Sequence, residues 1–435
     1  MIAPIVLAAC AIGGVSAQCG TATVPEDRAV PNGPQITLKV AVLPATDRAR
    51  RRADPVFWIS GGPGGVASEE VPFVARMYVA ANTHRDVVFV DQRGVGGSSP
   101  LACKVATGGT DVAALVRECL GQITADVTHY RTPDAMDDLE DVRQALGYGQ
   151  IDVWGGSYGA TAAQVFLRRH PLSVRTIVID GPTLLDVPVF ERWASSAQRA
   201  LVLLDRRCRA DASCRRAFPH WFERFPSLLA KLAKKPVAGF DAAAVAGVVD
   251  ELTATQSGAS LVPHALARAE AGNFQPLKSA RATLGDGGDR QAPAMYWAIV
   301  CTETWAVRDP ARALADARGT YMRYAVERDV VLQNGVCAAW PKLDASSEDW
   351  SRVRSETPGL VLVGGSDPKD PPGNTAGVTQ AMPNAKVITV PGGAHGVSFV
   401  GCLPRIVDAF LEAGTARGLD TACVSLTPYP SFRLR

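Results

Sequence analysis

A serine flanked by glycines is the feature of this sequence that points most directly to chemistry. The pattern Gly-x-Ser-x-Gly occupies 155–159, with Ser157 at its centre, after an apolar run at 150–155 and before a helical stretch at 158–170. A serine in a sharp turn from strand to helix has an exposed hydroxyl, and the helix N-terminus stabilises an oxyanion beside it. This context predicts that Ser157 is a nucleophile; the alternative is a plain glycine-rich turn.

A base must remove the proton of the serine hydroxyl before it can attack. The strand–serine–helix turn is typical of the α/β-hydrolase fold, in which the chain order is serine, acid, histidine. Of the six histidines, only His395 lies in a loop after a C-terminal strand. The other five precede the serine, or lie in predicted helices or in the region 187–355. We therefore predict that His395 is the base.

The acid of such a triad orients the imidazole and stabilises its charged form. Asp367 follows the apolar run at 359–364 and is the residue that we predict for this role. Asp370 is the neighbouring alternative, although a loop turn before two prolines also explains it. Asp180, at the end of an earlier strand, is a variant position for the acid in this fold.

An oxyanion hole needs two backbone N–H donors. Tyr158, the residue after the nucleophile, is predicted to supply one. The loop Ser-Gly-Gly-Pro-Gly-Gly at 60–65 follows a predicted strand, and its glycines let the backbone approach a substrate closely. We predict Gly62 as the second donor, with Gly61 as a close alternative. A phosphate-binding loop would require Gly-Lys-Ser/Thr, which this segment lacks.

The strands that must position these residues are short apolar runs. Continuous runs fit parallel strands buried on both faces, and helical stretches between them, such as 133–147, indicate a doubly wound sheet. The predicted fold class is α/β, an α/β-hydrolase fold with a mostly parallel sheet. The segment 36–43 alternates like a half-exposed antiparallel strand. The buried runs are 55–60, 86–91, 150–155, 175–180, 359–364 and 385–390.

The alternation of strands and helices stops between 187 and 355, a stretch rich in Ala, Arg and Leu. We interpret it as a helical cap inserted after the sixth strand, which ends near Asp180. The chain then divides into a core of residues 18–186 and 356–435 and a cap of residues 187–355. The predicted cap helices are 195–209, 222–234, 241–254 and 309–327.

Composition excludes some partners. The 435 residues include 45 Lys+Arg and 43 Asp+Glu, for a formal net charge of +2. The four arginines within 48–52 do not make the broad basic face that phosphate binding needs, so no nucleic-acid partner is expected. The sequence contains no metal or nucleotide motif, so no cofactor and no metal are predicted.

Ten cysteines, an even number with close sequence neighbours, favour disulfides and an oxidising compartment. We predict the pairs 103–119, 208–214, 301–337 and 402–423, although the sequence alone allows many connectivities.

The N-terminal segment 1–17 indicates export. Residues 2–15 are apolar and uncharged, too short for a membrane span of about 20 residues, and resemble the apolar region of a signal peptide. Residues 7–10 also resemble a lipoprotein box, which would make Cys10 a lipid anchor. The basic region usual for both is missing. Alternatively, Cys10 pairs with Cys19. We expect a protein that is secreted, periplasmic or associated with the cell envelope.

Three segments, 60–65, 91–99 and 155–159, together resemble the prolyl aminopeptidase family of α/β-hydrolases. The similarity is greatest to its exported branch, which includes the tripeptidyl aminopeptidases, and extends over about 19–424. The resemblance implies the triad already described and hydrolysis of peptides from a free N-terminus. There are two departures. Ser60 replaces the histidine that often opens the first loop, and Pro-Lys-Asp-Pro-Pro follows Asp367 instead of the more usual Thr-Pro.

The same resemblance implies a cap carboxylate that binds the α-ammonium group of the substrate. We predict Glu303 for this role; a solvent-facing or arginine-paired glutamate is the alternative. Trp193, Tyr296 and Trp305 either line an apolar pocket for a proline-like ring or belong to the cap core.

The leading hypothesis is a serine aminopeptidase that forms an acyl-enzyme on Ser157, with His395 as base and then as acid. The alternative is an esterase of the same fold that acts on small-molecule esters and has no ammonium group to bind. Loss of a triad member would indicate a non-enzymatic binding protein, but all three residues are present.

Overall fold

One mixed sheet organises the computed structural model, which describes residues 2–104, 111–284, 293–303, 309–342 and 348–434. Its strands within these ranges are β1 (Ala8–Ile12), β2 (Val15–Pro25), β3 (Gln35–Leu43), β4 (Val56–Ile59), β5 (Val87–Val90), β6 (Ile151–Gly156), β7 (Val174–Asp180), β8 (Gly359–Gly364) and β9 (Ala385–Val390). Their spatial order is β1-β2-β3-β5-β4-β6-β7-β8-β9.

The strands from β5 across to β9 are parallel, whereas β1, β2 and β3 pair antiparallel. Every residue of β4, β5 and β8 is buried, as continuous apolar runs predicted. The predicted antiparallel strand at 36–43 is confirmed as β3. Because the carboxyl ends of parallel strands lie at one edge of the sheet, the loops after β4, β6, β8 and β9 converge there.

The N-terminal hairpin of β1 and β2 is a feature that the sequence analysis missed. Residues interpreted there as a leader form β1, which pairs with β2, and Cys10 is bonded to Cys19 with a Cα–Cα distance of 5.8 Å. A sulfur in a disulfide cannot also carry a lipid. The arrangement in the structure is therefore the alternative pairing of Cys10 with Cys19, and the lipid anchor at Cys10 stays a prediction.

Helices cover both faces of the sheet. Alternate strand residues face two separate cores, with Phe57 and Ile59 in one and Val56 and Trp58 in the other. The helices that precede the cap are α1 (Val71–Met77), α2 (Val79–His84), α3 (Val112–Leu120), α4 (Thr132–Ala145) and α5 (Tyr158–Arg169). The predicted helices at 133–147 and 158–170 correspond to α4 and α5.

The region between β7 and β8 is helical and has its own apolar core. Its helices are α6 (Trp193–Ala210), α7 (Ala212–Ala217), α8 (Trp221–Lys234), α9 (Ala242–Thr253), α10 (Gln256–Ala259), α11 (Val262–Glu270), α12 (Gln275–Leu284), α13 (Pro293–Val300), α14 (Pro310–Ala317) and α15 (Arg323–Ala339). Two helices, α16 (Val378–Ala381) and α17 (Leu403–Ala413), follow in the core.

Two details of this region differ from prediction. The insertion follows β7, the seventh strand of the described chain, and not a sixth. The single helix predicted at 309–327 is wrong: α14 ends at Ala317, and α15 begins at Arg323. Gly319 lies between them with φ of +76°, a left-handed conformation that an α-helix does not contain.

Five disulfides are present among the described residues, and the four predicted pairs are confirmed. They are Cys103–Cys119, Cys208–Cys214, Cys301–Cys337 and Cys402–Cys423, with Cys10–Cys19 as the fifth. Such a number indicates folding in an oxidising compartment. Within the described parts of the chain, no helix has the length and apolar character that a membrane span requires.

Candidate active site

Ser157 occupies a sharp turn between β6 and α5, with φ of 56° and ψ of −126°. The glycines around it are required by close packing. A Cβ on Gly155 would lie 2.1 Å from the carbonyl oxygen of Gly159, and one on Gly159 would lie 2.2 Å from that of Ile59. The sequence pattern therefore has a steric cause, and the turn holds the serine at the start of a helix, as predicted for a nucleophile.

His395 and Asp367 are in direct contact, because the loops after β8 and β9 meet at the edge of the sheet. The Nδ1 of His395 lies 2.9 Å from Oδ2 of Asp367, whose side chain is fully buried. The other oxygen, Oδ1, accepts hydrogen bonds from the N–H groups of Lys369 at 2.8 Å and Asp370 at 2.9 Å. The carboxylate is thereby fixed in the orientation that a triad acid requires.

The electrostatics of the pair favour its charged form. Burial alone would raise the pKa of Asp367, but the adjacent imidazole and the two amide donors outweigh burial and lower it. Burial alone would lower the pKa of His395, but the carboxylates of Asp367 and Asp370 outweigh it and raise that pKa. The raised pKa makes the neutral imidazole a stronger base, and His395 acts as general base only at a pH where it has lost its proton.

The two alternative acids have other positions. Asp370 Oδ2 is 3.7 Å from Nδ1 of His395, beyond hydrogen-bond distance, and its Oδ1 accepts from Thr183. Burial raises the pKa of Asp370 to about 6. Asp180 lies beneath the histidine loop, where its carboxylate accepts from the N–H groups of Val397 and Ser398. Asp367 is the carboxylate in contact with the imidazole.

The loop at 60–65 lies against the serine turn. A Cβ on Gly61 would be 3.3 Å from Cβ of Ser157, so the loop and the nucleophile are immediate neighbours. Ser60, which replaces the more usual histidine, donates its hydroxyl to Glu70, and Trp58 Nε1 donates to the same carboxylate at 2.5 Å. Glu70 therefore fixes the start of the loop through these two hydrogen bonds, which the sequence did not predict.

A cavity of about 720 Å³ opens over these residues. Core residues Gly62, Ser157, Tyr158 and His395 are part of its lining. The cap supplies the larger part, with Val189, Phe190, Trp193, Glu251, Ala254, Tyr296, Trp297, Arg328, Asp329, Leu332 and Gln333. The structure thus brings the predicted nucleophile, base and oxyanion donors to one cavity, and two of the three predicted aromatics reach it. Trp305 lies outside the described residues.

Glu303 is placed differently from the prediction. Its side chain is buried, with 1% exposure, and it is absent from the cavity lining given above. Both carboxylate oxygens accept from Thr132, Oε1 from the backbone N–H at 2.5 Å and Oε2 from the hydroxyl at 2.8 Å. This carboxylate is therefore engaged by Thr132, and its predicted contact with a substrate ammonium group stays a prediction. The carboxylate instead stabilises the N-terminus of α4, where negative charge is favourable.

Carboxylates do reach the cavity at other cap positions. Glu251, at the end of α9, and Asp329, on α15, are part of its wall, as is Lys369 from the loop after β8. Sequence reasoning missed Glu251 and Asp329 because a helical period does not show which face turns towards a distant serine. Among the described residues, no group of three His, Cys, Asp or Glu side chains has a metal-binding arrangement.

A family model described as the alpha/beta hydrolase fold matches residues 54–401. The chain belongs to the α/β-hydrolase family. The tripeptidyl aminopeptidase of Streptomyces lividans is 27% identical to this hydrolase. The alignment covers 95% of this chain and 85% of the relative's own length. The proline iminopeptidase of Neisseria gonorrhoeae is 34% identical over 33% of this chain and 37% of its own. The predicted resemblance to both kinds of aminopeptidase is confirmed.

Among solved structures, the crystal structure of proline iminopeptidase from Mycobacterium smegmatis aligns with this hydrolase at a TM-score of 0.47 and 17% identity. The alignment covers 91% of this chain and 98% of that one.

Proposed function

We propose that this hydrolase is a serine aminopeptidase, which cleaves peptides from a free N-terminus through an acyl-enzyme on Ser157. The observation that carries the proposal is the 2.9 Å contact between His395 and Asp367 at the cavity that Ser157 also lines. The similarity to tripeptidyl aminopeptidases over 95% of the chain supports a peptide substrate.

In the proposed reaction, His395 removes the hydroxyl proton of Ser157 as the serine oxygen attacks the scissile carbonyl. The N–H groups of Gly62 and Tyr158 stabilise the oxyanion, Tyr158 being the first residue of α5. His395 then donates the proton to the leaving amine, which breaks the peptide bond and leaves an acyl-enzyme. A water molecule, activated by the same imidazole, hydrolyses that ester and regenerates the serine.

Because Glu303 is buried and is not part of the cavity wall, other carboxylates are better placed for the ammonium group of the substrate. We assign this role to Asp329 and to Glu251, which also accepts from Lys369, since both belong to the cap and line the cavity that Ser157 lines. A carboxylate at this wall would attract a positively charged N-terminus and hold the scissile bond at a fixed distance from it. Trp193 and Tyr296 would supply apolar contact for the side chain of the substrate.

We also propose that the protein is exported, to the cell envelope or the medium. The five disulfides support this location, because such bonds persist in oxidising compartments. Intact-mass analysis of the protein from its source would test the predicted leader. Cleavage near residue 17 or a lipid on Cys10 would show that a leader is processed, and either change would remove the disulfide between Cys10 and Cys19. Retention of residues 8–19 without a lipid would preserve that disulfide and contradict the predicted leader.

The substrate experiment compares matched chromogenic peptide amides that have either free or acetylated N-termini, with Ser157→Ala as the blank. Mass spectrometry of the products then distinguishes release of single residues from release of tripeptides. Hydrolysis of only the free-amine substrates is the expected result. If neither amide reacts while a short-chain ester is cleaved by the same serine, the enzyme is an esterase and the peptidase proposal is wrong.

A further inference from the structure

A lysine is among the residues that attach the loop of the predicted acid to the cap. Lys369 lies two residues after Asp367, and its ammonium group donates to Asp250 Oδ2 at 2.5 Å and to Glu251 Oε1 at 2.7 Å. Both acceptors belong to α9. We call Lys369, Asp250 and Glu251 the cap ion cluster. It joins parts of the chain more than 100 residues apart.

The cluster is embedded in the interface between cap and core. The side chain of Asp250 is 1% exposed and that of Lys369 is 21% exposed. The ring of Trp193, on α6, lies 5.1 Å from the lysine ammonium group, and its Nε1 donates to Asp250 at 3.2 Å. Separating the pair would leave the buried charge of Asp250 without its partner, and this cost favours a fixed geometry.

Two further contacts join the cap to the same catalytic loops. Arg199, on α6, donates to the carbonyl oxygen of Gly365 at 2.9 Å, close to Asp367 in the chain. The N–H of His395 donates to the carbonyl oxygen of Ala254, just beyond α9, at 3.0 Å. The loops of the acid and the base are therefore each bonded to the cap.

We infer that Lys369 is a positioning residue, which holds the loop of Asp367 against the cap so that the triad is aligned for attack. The link is direct, since the N–H of Lys369 donates to Oδ1 of Asp367 at 2.8 Å while its side chain is bound to α9.

The inference rests on the proposed serine chemistry but not on the substrate. A suitable readout is therefore the rate at which a fluorophosphonate probe labels Ser157, because that rate depends on activation of the serine by the triad. The variants are K369M, which keeps the length of the side chain without its charge, and K369R, which restores the charge. K231M is the matched control, since Lys231 is exposed on cap helix α8.

We expect labelling of K369M to be slower by about tenfold or more, because small misplacements of catalytic groups are costly. K369R should retain most of the wild-type rate, and K231M all of it. For peptide substrates, K369M should lower kcat more than it changes KM.

A second variant separates positioning from stability. K369M leaves the buried Asp250 without its cation and so lowers the thermal midpoint, whereas K369M/D250N removes both charges. The double variant should recover the thermal midpoint while its labelling stays slow. Wild-type labelling in folded K369M, or recovery of labelling together with stability in K369M/D250N, would overturn the inference. A wild-type protein that the probe does not label would overturn the serine chemistry as well, and labelling without peptide cleavage would overturn only the substrate proposal.

Discussion

The carboxylate of Asp180 accepts the N–H of Val397 at 2.8 Å, two residues beyond His395 in the chain. The backbone carbonyl of Asp180 also accepts the N–H of Ser157 at 2.9 Å. One residue at the end of β7 thus fixes both the serine turn and the histidine loop. Its carboxylate is occupied by backbone donors, and the contact with Nδ1 of the imidazole is made by Asp367.

The two aspartates should therefore respond differently to substitution. Asp367→Asn should lower kcat by about 10⁴-fold, because an amide favours the wrong imidazole tautomer. Asp180→Asn should act mainly on stability, since it removes charge from hydrogen bonds to backbone N–H groups. Steady-state kinetics and thermal unfolding of both variants would measure the contrast. A larger loss of kcat in Asp180→Asn than in Asp367→Asn would reverse the assignment of the acid.

The pH profile provides a test of Asp370. The groups that face the imidazole are Asp367, Asp370 and Lys369, with Asp180 beneath the loop. The two adjacent carboxylates raise the pKa of His395, so the acid limb of kcat/KM should lie above the ordinary histidine value of about 6.5. Asp370→Asn removes one of them, so the pKa of His395 should fall.

Activity of Asp370→Asn, relative to its own plateau, should consequently persist to lower pH than that of the wild type. The measurement is kcat/KM across the acid and neutral range with a neutral substrate. Asp420→Asn, an exposed carboxylate in the C-terminal segment, is the control for the change in net charge. A shift of the acid limb towards higher pH, or an equal shift in the control, would contradict the electrostatic role of Asp370.

Glu303 and Glu251 form a second contrasting pair. Glu303→Gln should leave KM for free-amine peptides unchanged but lower the free energy of unfolding by about 2 kcal/mol, because it weakens two hydrogen bonds from Thr132 to a charged acceptor. Glu251→Gln should raise KM for those peptides by about tenfold, because it removes the charge that binds ammonium.

A short-chain ester, which has no ammonium group, serves as the control substrate for both variants. Its KM should be the same in Glu251→Gln and the wild type. Should Glu303→Gln be the variant that raises KM selectively for free amines, the original prediction from the sequence would be restored and the assignment to Glu251 abandoned.

The sequence was most informative where chemistry and local geometry depend on the same residues. The glycines at 155 and 159 are explained by contacts of their absent Cβ atoms, so the pattern identifies the turn itself. Asp367 and His395 could be found because parallel strands end at one edge of the sheet. Only the few residues in the loops that follow the strands were therefore candidates for the acid and the base.

The contacts that the sequence did not reveal are those between cap and core. Glu303 was selected by its position in the cap, but burial depends on how α13 and α4 pack, and no local pattern encodes that. The role of Lys369 depends on Asp250, 119 positions away in the chain. The hairpin of β1 and β2 was missed because a short stretch of small apolar residues at an N-terminus is typical of a leader and also of an edge strand.

The disulfide between Cys301 and Cys337 provides a test of how cap helices α13 and α15 are held together. It joins the residue after α13 to the last turn of α15 and spans 36 positions, whereas Cys10–Cys19 spans 9 at the edge of the sheet. In the chain-entropy model, loss of the longer loop costs about 4 kcal/mol and loss of the shorter about 3 kcal/mol. The variant C301S/C337S should therefore be the less stable, and urea unfolding of both double variants measures the difference.

Since Glu303 lies just after Cys301, C301S/C337S should also lose activity at temperatures where C10S/C19S remains active. Equal midpoints and equal activity in the two variants would show that the cap does not depend on this bond.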